Sequence, residues 1–182
     1  ELVSDRLPKY YKLSSNNIQV LSPMRKSEAG VLNLNLLLQE ALNPARQGKR
    51  EHKAGNRTFR TGDRVMHIKN NYEKTWENLE ENISGEGIFN GDMGYIDFIE
   101  PNEKKLYIQF DDGKRAEYDF TELDQIEHAF ATTVHKSQGS EFDCVVMPIS
   151  AFPPMLMSRK ILYTALTRAK KLAILVGDSK YL

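Results

Sequence analysis

A polar segment between two apolar runs carries most of the side chains that could do chemistry. It reads Thr-Thr-Val-His-Lys-Ser-Gln-Gly-Ser-Glu over residues 132–141. The runs Ala-Phe-Ala at 129–131 and Val-Val-Met at 145–147 enclose it. A polar stretch between two buried strands must expose its hydroxyls, imidazole and ammonium at the end of a sheet, where open α/β sheets bind ligands. We therefore expect a binding site in this segment.

A complete nucleotide-hydrolysing site needs more than this segment offers. It requires a phosphate loop of the form Gly-x-x-x-x-Gly-Lys-Ser/Thr and an acidic pair that holds a metal ion, and the sequence contains neither. Glu141 and Asp143 could pass for paired carboxylates, but no second pair supports a nuclease or a glycosidase. Four dispersed histidines and one cysteine, Cys144, make no metal site. We expect that the chain alone does not hydrolyse ATP.

The elements that position the polar segment follow an α/β pattern. Short apolar runs predict strands at residues 18–21, 128–132, 143–149 and 172–176. Helical periodicity predicts helices at 27–42 and 158–171, and residues 1–17 read as a helix remnant and a turn. The second helix should bury one stripe and expose Arg168 on the other side; the stripe is Ile161, Leu162, Ala165, Leu166 and Ala169. We expect a mostly parallel sheet with helical crossovers.

Residues 58 to about 124 interrupt this pattern with an all-β composition. Strands are predicted at 64–68, 94–99, 106–110 and 115–120, and the turns Asn90-Gly91 and Asp112-Gly113 fit between strands. They indicate a small barrel inserted between a first α/β part, residues 1–57 with a basic connection, and a second part, residues 125–182. Residues 73–88 read as irregular. The tryptophan there, Trp76, either anchors a loop or stacks on a base.

Charge and composition limit the choice of partners only locally. The 25 basic and 25 acidic residues cancel, so the global charge predicts no partner. Between residues 44 and 69 eight basic residues face two acidic ones, which fits a solvated linker or a phosphate-contacting arm. The absence of a signal peptide and of a long apolar span leads us to expect a cytoplasmic protein. A start at Glu1 and an end just after a strand-like run are typical of a fragment.

Three sequence blocks resemble the C-terminal motor motifs of superfamily 1 DNA helicases of the RecD/TraA type. They are Leu-Ser-Pro-Met-Arg at 21–25, the segment at 132–141 and Tyr-Thr-Ala-Leu-Thr-Arg-Ala-Lys at 163–170, in the family's order. Residues 62–66, 70–72 and 89–94 resemble the SH3-like barrel, domain 2B, that the family carries inside its second motor domain, 2A. The resemblance implies a RecA-like, P-loop-type α/β domain without its own phosphate loop, and movement from 5′ to 3′ along DNA.

The resemblance also implies roles for single residues. Arg168 and Arg25 are expected to reach the γ-phosphate of ATP as arginine fingers, because a planar charged fork can neutralise charge that develops on a transferred phosphate. Gly139 and Glu141 are expected to line the nucleotide, with Glu141 on the ribose. Contacts to the nucleic acid are expected from Thr133, His135, Lys136, Ser137, Asn71 and Arg64. A structural hydrogen-bonding role remains the alternative for His135.

The implied cofactor is ATP with Mg²⁺, held mainly by an N-terminal motor domain that this sequence lacks. Single-stranded DNA and that motor domain are the implied partners, RecB/RecC-like subunits remain open, and no membrane is expected. The predicted function is the C-terminal half of an ATP-dependent DNA helicase, inactive as a fragment. Two alternatives are an autonomous module that binds single-stranded nucleic acid and a scaffolding domain without catalysis.

Overall fold

The chain forms two compact units in a computed structural model that describes residues 1–181, apart from the side chains of Pro154, Met157 and Ser179. Unit 1 comprises Glu1–Leu42 and Phe130–Leu182, and unit 2 comprises Asn43–Ala129. The helices are α1 (Leu7–Tyr11), α2 (Val31–Leu42) and α3 (Arg159–Leu166). The strands are β1 (Ile18–Ser22), β2 (Glu51–Ala54), β3 (Arg57–Arg60), β4 (Arg64–His67), β5 (Asn71–Asn78), β6 (Ile83–Ile88), β7 (Met93–Glu100), β8 (Lys105–Phe110), β9 (Arg115–Asp119), β10 (Ile126–His128), β11 (Ala131–Thr133), β12 (Phe142–Ile149) and β13 (Ala169–Gly177).

Unit 1 is built around a four-stranded parallel sheet in the order β11-β1-β12-β13. All five residues of β1 are buried, as expected for a parallel strand covered on both faces. One face packs on the leucines of α2, namely Leu34, Leu38 and Leu42. The other face packs on α3 through Ile161, Leu162 and the fully buried Ala165. The predicted parallel sheet with helical crossovers is therefore confirmed, and Cys144 is a buried residue of its core.

A buried amide on α2 completes the edge strand β11. Asn35 Nδ2 donates to the carbonyl of Ala131 at 2.9 Å, and the Ala131 N–H donates to Asn35 Oδ1 at 2.8 Å. A strand at the edge of a sheet leaves backbone groups unpaired, and such groups are destabilising when they are buried. Because Asn35 shares a helical face with Val31 and Leu38, α2 both packs on the sheet and satisfies the backbone of its edge.

Two of the predicted elements of unit 1 are wrong. The helix predicted at 158–171 ends at Leu166, and β13 begins at Ala169, because Ala169 pairs with Phe142 in the sheet. Lys170 and Lys171 therefore lie on a strand, and Arg168 lies in the short connection before it. The strand predicted at 128–132 is two strands, since β10 pairs with β4 in unit 2 and β11 pairs with β1 in unit 1.

Unit 2 contains a seven-stranded antiparallel sheet in the order β10-β4-β7-β8-β9-β5-β6, together with the hairpin β2-β3. Buried and more exposed residues alternate along β8 and β9, as in strands with one face on a core. The core contains, among others, Phe59, Val65, Ile96, Ile99, Leu106, Ile108 and Tyr118. Each of the four strands predicted from the sequence in this unit is present, with ends shifted by at most one residue.

Two hairpins of unit 2 contradict the sequence-based prediction. The hairpin β2-β3 lies in the stretch predicted to be a basic connection, and β5-β6 occupies most of the stretch predicted to be irregular. Both have polar sequences without clean apolar alternation, so no local pattern of apolar residues marks them as strands. The predicted start of the barrel at residue 58 falls inside β3, and its predicted end at 124 falls just before β10.

A buried aspartate ties the two ends of unit 2 together. Asp63 has no exposed surface. Its carboxylate accepts hydrogen bonds from Asn43 Nδ2 at 2.8 Å and from the Arg60 N–H at 2.7 Å, and it lies 3.1 Å from His128 Nε2. Asn43 is the first residue of the unit and His128 the last but one. A buried carboxylate is tolerated only with such partners, so the positions where the chain enters and leaves the unit are fixed to each other.

We expect unit 2 to lose stability as the pH falls below about 6.5, the ordinary pKa of histidine. His67 is fully buried, its Nδ1 lies 3.0 Å from the Tyr118 hydroxyl, and burial lowers its pKa. Because the pKa of His67 is lower in the folded state, the unfolded chain takes up the proton first as the pH falls. The contribution of His67 to stability is therefore fully present above about pH 6.5, and it is lost as the pH falls toward the folded-state pKa. Burial also lowers the pKa of His52, which adds in the same direction.

The stability of unit 2 is measured as its urea midpoint at pH 7.5 and at pH 5.5. Amide hydrogen exchange of its strands reports the unfolding. The variant His67→Gln should show a smaller difference between the two pH values than the natural chain. As a control, His135→Gln changes an exposed histidine of unit 1 and should leave the difference unchanged. An equal pH dependence in the natural chain and in His67→Gln would contradict the role of His67.

Candidate nucleotide and nucleic-acid site

The predicted site residues of unit 1 lie at two opposite edges of its parallel sheet. Ser22 pairs with Thr133 at the carboxyl ends of β1 and β11, two residues beyond the level of Val146. Phe142 pairs with Ala169 at the amino ends of β12 and β13, four residues before Val146. At a rise of about 3.3 Å per residue, the two edges are about 20 Å apart.

The amino-end edge gathers Arg168, Glu141 and the backbone between them. Arg168 Nη1 donates to the carbonyl of Ser140 at 3.3 Å, and Nη2 lies 3.5 Å from the Thr167 hydroxyl. Arg168 Nε is buried and has no hydrogen-bond partner among the described residues. Glu141 Oε2 lies 3.5 Å from Lys170 Nζ, and both side chains are more than half exposed. The guanidinium is held only by long hydrogen bonds, so its fork retains donors for an anionic ligand.

The carboxyl-end edge carries a tight turn with the residues predicted to contact nucleic acid. The Ser137 N–H donates to the Thr133 carbonyl at 3.1 Å, and the Lys136 N–H donates to the Thr133 hydroxyl at 3.3 Å. Ser137 is fully buried and its hydroxyl donates to the Val134 carbonyl at 2.8 Å. The hydroxyl of Ser137 therefore holds the turn, while the His135 side chain is exposed to solvent.

Residues 134–141 connect the two edges across one face of the sheet. Val134 is fully buried in the same cluster as Leu21 and Met147, which anchors the segment at its start. Gly139 has a φ of +87°, a conformation that favours glycine, and a side chain there would meet nothing within 4 Å. The glycine thus serves the path of the backbone toward Ser140, whose carbonyl contacts Arg168. One short packed segment joins the exposed turn to the arginine.

Arg25 lies at the carboxyl-end edge, three residues after the end of β1. Its carbonyl accepts the N–H of Leu32 at 3.1 Å, and a side chain on Gly30 would come within 2.8 Å of the same oxygen, so the loop is tightly folded. Arg25 follows the carboxyl end of β1, whereas Arg168 precedes the amino end of β13. That both arginines reach one γ-phosphate stays a prediction from the family resemblance.

The carboxylates near the polar segment have separate cationic partners. Asp143 accepts from Lys171 Nζ at 2.9 Å and from Asn17 Nδ2 at 3.2 Å, and the Lys171 ammonium holds the pKa of Asp143 below its ordinary value. Glu141 instead faces Lys170. A catalytic pair of carboxyls needs one member with a raised pKa, whereas the pKa of Asp143 is lowered. This arrangement agrees with the sequence argument against a glycosidase or nuclease.

The two site residues predicted in unit 2 have partners within the unit. Arg64 is buried, and its two terminal nitrogens donate to both oxygens of Asp111 at 2.6 Å. Its guanidinium also lies over the ring of Tyr95, 4.5 Å from the centroid. Asn71 Nδ2 donates to Gln125 Oε1 at 3.0 Å. These contacts give Arg64 a structural role and leave Asn71 at the surface of the unit.

Structure also decides between the two interpretations of the basic stretch and of Trp76. Most of the basic side chains between 44 and 69 contact acidic or carbonyl oxygens of unit 2, as Arg50 does with Glu100, Arg57 with Ile126, Arg60 with Glu51, Arg64 with Asp111 and Lys69 with Asp124. Trp76 packs against the core of unit 2, and its ring lies over Gly85, where a side chain would come within 2.6 Å. The tryptophan anchors a hairpin, and the basic stretch is part of the fold.

Neither a metal site nor a membrane span is visible in the described part of the chain. No group of three or more His, Cys, Asp or Glu side chains among residues 1–181 could hold a metal ion. None of the described helices combines the length and the apolar character needed to cross a bilayer.

Comparison with known families assigns both units. Residues 34–110 match the ATP-dependent RecD-like DNA helicase SH3 domain. Residues 128–176 match the UvrD-like helicase C-terminal domain. The first match covers most of unit 2, and the second covers β11, β12 and nearly all of β13, together with the polar segment and Arg168.

Two curated relatives carry the same assignment. The chain is 35% identical over 153 residues to the ATP-dependent RecD2 DNA helicase of Deinococcus radiodurans, covering 84% of this chain and 19% of the relative. It is 30% identical over 165 residues to the RecBCD enzyme subunit RecD of Haemophilus influenzae, covering 91% of this chain and 22% of the relative. The chain thus spans about a fifth of the length of these relatives.

Solved structures show the same fold at low sequence identity. Pif1 from Bacteroides bound to single-stranded DNA superposes with a TM-score of 0.55 at 18% identity, over 93% of this chain and 42% of that chain. Pif1 from Bacteroides in complex with ADP-AlF3 and single-stranded DNA gives a TM-score of 0.57 at 16% identity, over 99% and 44%. The predicted fold class, a parallel α/β domain interrupted by an SH3-like barrel, is confirmed. The chain belongs to the RecD-like DNA helicases of superfamily 1 and corresponds to their C-terminal region.

Proposed function

We propose that this chain is the second motor domain of an ATP-dependent DNA helicase, with unit 1 as domain 2A and unit 2 as the inserted domain 2B. Arg168 acts as the arginine finger toward a nucleotide held mainly, with Mg²⁺, by a first motor domain. The turn at Thr133, His135 and Lys136 contacts single-stranded DNA. Movement from 5′ to 3′ and an association with RecB/RecC-like subunits remain predictions from the family.

The observation that carries this proposal is the segment at 134–141. It begins in the exposed turn at one edge of the sheet and ends beside Arg168 and Glu141 at the other edge. A packed segment with a ligand at each end can couple the two binding events, because a shift that closes one site moves the other. Such coupling is the physical requirement for a motor that converts nucleotide turnover into movement along a strand.

Fit to the nucleotide is supported by the side chains at the amino-end edge. Arg168 retains a buried, unpartnered Nε and long contacts elsewhere, so an anionic oxygen would complete its hydrogen bonding. Glu141 is exposed and can accept hydrogen bonds from ribose hydroxyls after it leaves Lys170. Arg25 is proposed as a second arginine that reaches the γ-phosphate, as the family resemblance implies. ATP supplies the transferable phosphoryl group, and these residues orient and neutralise it.

The test of the contact to DNA is the variant His135→Ala in the full-length protein. The DNA concentration that gives half-maximal stimulation of ATP hydrolysis should rise about 5- to 10-fold, since one contact to the strand is lost. The nucleotide concentration that gives half-maximal rate should stay within about twofold, because His135 lies far from Arg168. Gln138→Ala, which removes another exposed side chain of the same turn, is the control. Unchanged stimulation in His135→Ala would contradict the proposed contact.

A binding module without catalysis is the second candidate, and the pairing of most basic side chains within unit 2 argues against it. Single strands bind through cations that are available to phosphates, and the cations between 44 and 69 are largely engaged. Absence of DNA-stimulated ATP hydrolysis in the full-length protein would favour this candidate.

A further inference from the structure

Unit 2 presents two large aromatic rings side by side at its surface. Tyr72 is 68% exposed and Phe89 is 39% exposed. Their ring centroids are 5.5 Å apart and their planes meet at 72°, an edge-to-face arrangement. Large aromatic side chains normally bury most of their surface, so an exposed pair in direct contact is a candidate binding surface when its surroundings also fit a ligand. We call Tyr72 and Phe89 the aromatic step.

Irregular backbone on both sides builds the aromatic step. Asn71 pairs with Ile88 and Thr75 pairs with Glu86, so the three residues 72–74 of β5 face Gly87 alone. Such a bulge turns the side chain of Tyr72 out of the regular pleat, and bulges are frequent beside functional sites. Gly87 itself has a φ of +100°, and a side chain there would come within 2.9 Å of the Phe89 ring. The Phe89 ring therefore lies directly on the backbone of β6, the strand that Phe89 follows.

Hydrogen bonds hold the turn under the step in one conformation. The Phe89 N–H donates to Asp92 Oδ2 at 2.8 Å, and the Asn90 N–H donates to Asn70 Oδ1 at 3.0 Å. The Gly91 N–H donates to the His67 carbonyl at 2.9 Å, which ties the turn to the end of β4. The rings are thus presented on a preorganised surface, which reduces the entropy that a ligand must overcome on binding.

The surroundings of the step favour a flat, uncharged ligand with hydrogen-bonding edges. The exposed neighbours Asn70 and Asn90 carry amides, which both donate and accept. The two nearest lysines have carboxylate partners, Lys69 with Asp124 and Lys74 with Glu122. A phosphate would need free cations here, whereas a nucleobase needs a ring to stack on and amides along its edge.

We propose that the aromatic step binds an unpaired base of single-stranded nucleic acid by stacking on Tyr72. This inference rests on the proposed function. It adds a contact from unit 2 to the single-stranded nucleic acid that the turn at 133–136 is proposed to contact. Stacking on an aromatic ring tolerates every base, so the step adds affinity without sequence preference. It also adds no salt dependence, because no phosphate contact is involved.

The experiment measures binding of an oligothymidylate with single 2-aminopurine substitutions to the full-length protein without nucleotide. Tyr72→Ala should weaken binding about 5- to 100-fold and should relieve the quenching of one 2-aminopurine position. Tyr72→Phe should bind as the natural protein does, because it retains the ring. The slope of binding against salt concentration should be equal in all three proteins. Tyr10→Ala is the matched control: Tyr10 is 82% exposed and contacts Tyr11 with ring centroids 5.1 Å apart, but it lies in unit 1.

The outcomes separate this inference from the proposed function. Equal affinity of Tyr72→Ala and the natural protein would overturn the aromatic step and leave the motor assignment standing. A smaller salt slope in Tyr72→Ala would also overturn it, since that result indicates a lost phosphate contact. If the natural protein did not bind the oligonucleotide at all, both the step and the proposed function would fail.

Discussion

In the full-length protein, Arg168→Ala is expected to lower the ATP turnover number by about 10³- to 10⁵-fold while nucleotide affinity changes little. The planar guanidinium neutralises charge that develops on the transferred phosphate, and this charge is largest in the transition state. Arg168 is poised for that role by its place before β13, where only two long hydrogen bonds hold its terminal nitrogens. DNA-stimulated ATP hydrolysis and binding of a fluorescent nucleotide are the two measurements.

Two further variants separate the finger from a general effect of charge. Arg159→Ala removes an exposed arginine from the first position of α3, the helix that precedes Arg168, and its turnover should stay within about threefold of normal. Arg168→Lys keeps the charge but loses the fork, so it should remain strongly impaired. Near-normal turnover in Arg168→Ala would contradict the role of Arg168 as an arginine finger. Equal losses of turnover in Arg168→Ala and Arg159→Ala would show that only net charge matters.

The second large effect is expected from Asp63→Ala, which should destabilise unit 2 by about 3 to 5 kcal/mol. The Asp63 carboxylate is fully buried and accepts from Asn43, the Arg60 backbone and His128, so alanine leaves three buried polar groups without their acceptor. Hydrogen exchange followed by mass spectrometry should show faster exchange in β4, β7 and β10, together with a lower urea midpoint.

Asp124→Ala provides the control for the buried aspartate. Its side chain is 64% exposed and its ion pair with Lys69 lies at the surface, so the loss should be at most about 1 kcal/mol. Exchange in unit 1 should be little changed in both variants. Should Asp63→Ala unfold at the same urea concentration as Asp124→Ala, the carboxylate would not be the anchor of the unit.

The helices and strands with strong local patterns could be predicted from the sequence. The apolar stripe of α2 and the apolar runs of β1 and β12 face the core. This burial is visible in the sequence as a pattern of apolar residues. The hairpin β5-β6 shows no such pattern, because one of its strands exposes polar residues on both sides, and its apolar residues at the core are Ile88 and the partly buried Trp76. The end of the helix predicted at 158–171 belongs to β13 for a similar reason. Ala169 pairs with Phe142, and this tertiary contact leaves no local pattern in the sequence.

The candidate site residues could be chosen from the sequence, but their arrangement could not be predicted from it. The motif blocks identify Arg25 and Arg168 equally well, and only the strand registers show that they lie at opposite edges. Exposure likewise distinguishes His135 from the buried Ser137, although both belong to one block. The aromatic step was missed because Tyr72 and Phe89 are 17 positions apart in a stretch that carries no periodic signal. A bulge and a glycine with positive φ bring them together, and neither is visible in composition.

The contacts of Asp63 with Asn43 and His128 also bear on how the chain folds. The parallel pairing of β1 with β11 joins residues more than one hundred positions apart, and closing so long a loop from a disordered chain carries a large entropy loss. When unit 2 forms first, Asp63 holds its two ends together, and the effective loop between β1 and β11 shrinks to the short segments on either side. An early unit 2 would then lower the effective contact order of unit 1 and speed its assembly.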